Sequence, residues 1–78
     1  MAAEAMTEEK RARGIALCRW EAERWHREAA NVREHATLPH LSSKARATLL
    51  RSADRSDDEA AYWEAGARDY ETQDGPAL

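Results

Sequence analysis

Ile15, Cys18, Ala22, Trp25, Ala29, Val32 and Ala36 recur along the chain at alternating steps of three and four. Leu49, Ala53, Ser56, Ala60, Trp63, Ala67 and Tyr70 form a second series with the same steps. Small or apolar residues at this spacing line one face of a helix as a heptad seam. Two helices are therefore expected, over 7–36 and 43–71. Thr7 is placed to cap the first, ahead of Glu8 and Glu9, whose charges suit a helix N-terminus. Pro39 disfavours helix at Leu38 and closes the first pattern. The connection TLPHLS follows, and Ser42 or Ser43 can cap the second helix. A capping-box pattern, SDDE at 56–59, offers a second helix start that would put a kink near 55–56. The unbroken heptad phase from Leu49 to Tyr70 favours continuity. The fold expected is all-α, an antiparallel two-helix hairpin forming a single domain over 1–78, with frayed ends at 1–6 and 72–78.

Folding the chain symmetrically about Pro39 makes facing residue numbers total 78. Ile15 then meets Trp63, Cys18 meets Ala60, Ala22 meets Ser56, Trp25 meets Ala53, and Ala29 meets Leu49. Large residues oppose small ones, as an interdigitated seam requires. The same register pairs Arg19 with Glu64 and His26 with Asp57, and brings Gly14 against Gly66. Two helices alone bury one narrow stripe. Assembly into a four-helix bundle, as a homodimer, or docking on a partner would bury more.

Composition narrows the functions. A chain of 78 residues and 8.8 kDa has little interior, and its 42% hydrophobic content is mostly alanine. With aromatics at 6%, a large apolar cavity for a cofactor is not expected. The single cysteine, Cys18, excludes an intramolecular disulfide framework and a Cys-only zinc site. No apolar run nears the roughly 20 residues of a membrane span, and MAAEAMTEEK lacks the apolar stretch of a secretory signal. A soluble, cytoplasmic protein is expected. The net charge of −3 hides a strong asymmetry: 54–74 hold eight acids against Arg55 and Arg68, while 41–53 carry Lys44, Arg46 and Arg51 with no acid. Direct nucleic-acid binding is disfavoured, since phosphate needs a basic face. A protein partner with a basic or mixed surface suits the acidic end better.

Candidate chemistry is sparse. Arg13, Leu17, Trp20, Arg24 and Arg27 form a stripe expected on the far side of the first helix from the seam, with the composition of a binding hot spot. Asp57 and Glu64 on one edge, and Glu21, Glu28 and Glu59 on the other, form acidic edges that could dock a basic surface. Glu23-x-x-His26 resembles the Glu-x-x-His unit of ferritin-like metal proteins, but Glu23 falls at an outward position and the second seam offers no carboxylate. No Ser-His-Asp set, Cys-His pair or Gly-rich phosphate loop can be assembled, so neither an enzyme nor a cofactor is expected. In size and hairpin shape the chain is similar to the WXG-type secreted helical hairpins, and Tyr70-x-x-x-Asp74 fits their C-terminal pattern. Their Trp-x-Gly signature is absent from the turn, and the resemblance fails there. Tiny, charged, Ala- and Arg-rich helical chains without catalytic groups look, as a class, like phage- or mobile-element-encoded inhibitors such as anti-CRISPR proteins. The leading expectation is a small non-enzymatic interaction protein that binds and regulates or inhibits a larger macromolecule. A structural or adaptor subunit of a homo-oligomeric bundle is the alternative, and a metal-binding hairpin the third.

Overall fold

A computed structural model describes residues 7–72, and they form two helices packed against each other, α1 (Glu8–His35) and α2 (Ser43–Thr72). Local chemistry sets both starts. The Thr7 hydroxyl accepts from the Lys10 N–H at 3.1 Å, satisfying one of the four N–H groups that a first turn leaves unpaired. Glu8 and Glu9 then face the positive end of the helix, and Arg33 and His35 its negative end. On α2, Ser42 is the capping serine, its Oγ accepting from the Ala45 N–H at 3.1 Å.

The C-terminus of α1 is closed from outside. Arg46 donates from Nε to the Ala36 carbonyl at 2.7 Å and from a terminal nitrogen to the Leu38 carbonyl at 3.0 Å. The Thr37 hydroxyl adds a third donor, to the Glu34 carbonyl at 2.6 Å. A basic side chain at a helix C-terminus satisfies orphan carbonyls and opposes the dipole. Helix α2 runs without interruption through 56–59, so the capping-box start at Ser56 is not used. Ser56 instead lies buried in the seam, where the heptad phase placed it. Thr72, expected in the tail, is the last helical residue. The expected fraying at 1–6 and 73–78, and Asp74 of the tyrosine motif, lie outside the described residues.

The seam is made of small side chains. Cys18, Ala22, Ala29 and Ala36 on one side, and Ala53, Ser56, Ala60 and Ala67 on the other, are buried. All eight are heptad positions of the sequence. Their partners, however, differ from those of a symmetric fold. Gly14 lies against the ring of Tyr70 and Gly66 against the Cys18 sulfur, so facing numbers total 84, not 78. This corrects the Gly14–Gly66 contact and shifts the register by close to one heptad. The connection is the reason: it climbs beside the first turns of α2, where Arg46 holds it. It is not a level crossover about Pro39.

Candidate interaction surface

A two-helix hairpin has two long edges where its helices meet, and here they differ in kind. One edge is an ion-pair ladder. Arg19, His26 and Arg33 recur every seven residues on α1, as do Asp57, Glu64 and Glu71 on α2. Arg19 meets Glu71 at 2.8 Å; His26 lies 3.3 Å from Glu64 through Nε2 and 3.5 Å from Asp57 through Nδ1. Arg33 bridges Asp57 at 2.5 Å and Asp54 at 3.1 Å. The expected His26–Asp57 pair is present; Arg19 pairs with Glu71 in place of Glu64, as the register shift requires. The hydrogen bond donated by the Arg33 guanidinium holds the Asp57 carboxyl below its ordinary range, and donating to the Asp57 and Asp54 carboxylates raises Arg33. Each exposed pair contributes little alone. Together they join Arg19, His26 and Arg33 to Asp54, Asp57, Glu64 and Glu71 along this edge, beside an open depression of about 380 Å³ that Glu23 and Arg68 also line.

The other edge is apolar at one end. Gly14, Leu17, Cys18, Tyr62, Trp63, Gly66 and Tyr70 line a groove of about 330 Å³. Its shape follows from the two glycines. A Cβ on Gly14 would stand 2.5 Å from the Tyr70 ring, and one on Gly66 would stand 3.2 Å from the Cys18 sulfur. Missing side chains thus let an aromatic ring and a thiol settle against the opposite backbone. Tyr62 stacks edge-on against Trp63, with centroids 5.4 Å apart and planes at 84°. The Trp63 indole N–H is buried without an acceptor among the described residues. Farther along this edge, Arg24, Trp25, Glu28, Ser52 and Ser56 border a second depression. Glu28 and Glu59 are exposed there and make no ion pair among the described residues. Glu21 is answered by Arg24 on its own helix at 3.1 Å.

The outward stripe of α1 divides between these surroundings. Leu17 is not on the far side of the helix; it forms a wall of the apolar groove beside Cys18, while staying 55% exposed. Arg24 also leaves the stripe, folding over the Trp25 ring at 5.1 Å. Arg13, Trp20 and Arg27 remain, spaced by seven and all exposed, with Trp20 56% accessible. The most exposed aromatic is one the sequence pattern passed over, Tyr62 at 68%. Its signal is the line Arg55, Tyr62, Asp69, again spaced by seven and just outside the seam.

Among the described residues no group of three His, Cys, Asp or Glu side chains is arranged to hold a metal ion, and no helix is long and apolar enough to cross a membrane. Cys18 is a free, buried thiol in the seam. No family model, curated protein or solved structure matches the chain.

Proposed function

We propose that this chain is a non-enzymatic helical interaction protein that binds and regulates or inhibits a larger macromolecular partner, the role that phage-encoded inhibitors such as anti-CRISPR proteins exemplify. One observation carries the reading: Leu17, Trp20 and Tyr62 stand exposed, while the residues the hairpin buries, among those described, are alanines with Cys18 and Ser56. Exposed Trp, Tyr and Arg side chains have the composition of contact surfaces, not of a catalytic cleft. Glu28 and Glu59, which make no ion pair among the described residues, suit a partner of basic or mixed charge.

The test is co-purification of tagged wild type and Trp20→Ala from the native host, followed by reconstitution with purified components. A stoichiometric complex that Trp20→Ala weakens roughly thirtyfold, the equivalent of about 2 kcal/mol, supports the reading. Equal affinity of both proteins would remove Trp20 from the contact. A wild type that recovers only itself would favour the second reading, a structural subunit of a homo-oligomeric bundle. That reading draws on the absence, among the described residues, of any large side chain that is fully buried.

A further inference from the structure

The apolar groove carries a single charge: among its described lining residues, Asp69 alone is charged at neutral pH. We infer that the groove receives an arginine side chain of a protein partner, its aliphatic stem along Leu17 and Ala65 and its guanidinium against the aromatic rings and the Asp69 carboxylate. The inference rests on the interaction reading above and names the chemistry that one surface recognises.

Charge complementarity is the first support. Asp69 is exposed and makes no ion pair among the described residues; the Thr72 hydroxyl donates to its backbone carbonyl at 3.2 Å, not to its carboxylate. A neutral occupant would strip water from that carboxylate and offer no partner in return, which is costly. In the depression on the other edge, by contrast, His26 and Arg19 already meet Glu64 and Glu71.

Aromatic walls are the second. Tyr62, Trp63 and Tyr70 line the groove, and the Tyr62 and Trp63 planes stand at 84°. Ring faces carry negative potential and attract a cation laid over them. Arg24 shows the same chemistry farther along this edge, its guanidinium 5.1 Å from the centre of the Trp25 ring. Reach is the third. Tyr62 and Asp69 lie on α2 with a heptad between them, about 10 Å along its axis, so a long side chain is needed to touch both. Arginine fits better than lysine, because its planar, weakly hydrated guanidinium stacks on a ring while pairing with a carboxylate.

Titration of the full chain with a blocked arginine amide, followed by NMR at the Trp63 indole N–H, tests the inference. The blocked citrulline amide, which has nearly the same shape without the charge, is the control. The arginine probe is expected to bind saturably and the citrulline probe about tenfold more weakly, the scale of one lost charge-assisted hydrogen bond. Asp69→Asn and Tyr62→Ala change exposed side chains, so helicity, read by circular dichroism, is retained while the arginine probe binds several-fold more weakly. Trp20→Ala and Arg68→Ala, which do not line the groove, should bind it unchanged. No saturable binding, equal binding of the two probes, or an Asp69→Asn protein that binds as the wild type overturns the inference. The probe reads the groove without the partner, so its failure leaves the Trp20 contact standing. A failed co-purification with the probe still bound strikes the interaction reading instead.

Discussion

Cys18 and Gly66 report the register at the level of single atoms. A Cβ at 66 would lie 3.2 Å from the Cys18 sulfur, close to the roughly 3 Å that separates a Cβ from the distal sulfur of a disulfide. Gly66→Cys is therefore expected to form an intrachain disulfide with Cys18 on mild oxidation, detected as a loss of two hydrogens by mass spectrometry. Ala60→Cys, which a symmetric fold would bring to Cys18, is expected to stay reduced within the chain. The Arg33–Asp57 contact makes a prediction in pH. Because the folded Asp57 carboxyl is held below its ordinary value, its contribution is fully present above the unfolded carboxylate range. It is lost as pH falls through the folded value. Urea midpoints of wild type and Asp57→Asn should differ at neutral pH and converge in acid; a constant gap would show that Arg33 does not act through the ionised carboxylate. Side-chain identity made part of this legible. His26 and Asp57 were pairable from their heptad positions alone. Tyr62 was not, because its place matters only once Leu17 is known to share its edge.

At the scale of the helices, the heptad pattern determines which faces meet but not which turns. Sliding one helix past the other by seven residues returns the same seam positions to the interface, so Ala22 and Ala60 stay buried in either register. This degeneracy explains why the eight buried positions could be read from the sequence while their partners could not. The deciding element is the connection, whose rise beside α2 depends on Arg46, a residue that composition marks only as one of three local cations. Arg46→Ala should expose the C-terminus of α1 and cost about 1–2 kcal/mol, since hydrogen bonds from a charged donor are the stronger class. Chemical denaturation measures this, and amide exchange should rise first at 32–38. The seam makes the complementary case. Ala53 is fully buried against the opposite helix, and Ala53→Trp should overpack it by about 1–3 kcal/mol. An unchanged denaturation midpoint would mean that the helices are not closely packed there.

At the scale of the whole molecule, the hairpin buries no large side chain completely among the described residues. Among the described residues the buried side chains are alanines, Ser56 and Cys18, which remove little apolar area from water, and the larger seam residues stay only part-buried. What remains outside is a groove walled by Leu17, Tyr62, Trp63 and Tyr70 and a separate Trp20 line. Stability should therefore depend on association, because whatever binds only the folded state adds to its stability by mass action. The direct measurement is the thermal unfolding midpoint, followed by helical circular dichroism from micromolar to millimolar protein. The midpoint is expected to rise steadily with concentration in the wild type and to lie low and flat in Tyr62→Glu. A wild-type midpoint that is high and independent of concentration would mean that the hairpin sustains its fold alone, with no dependence on association.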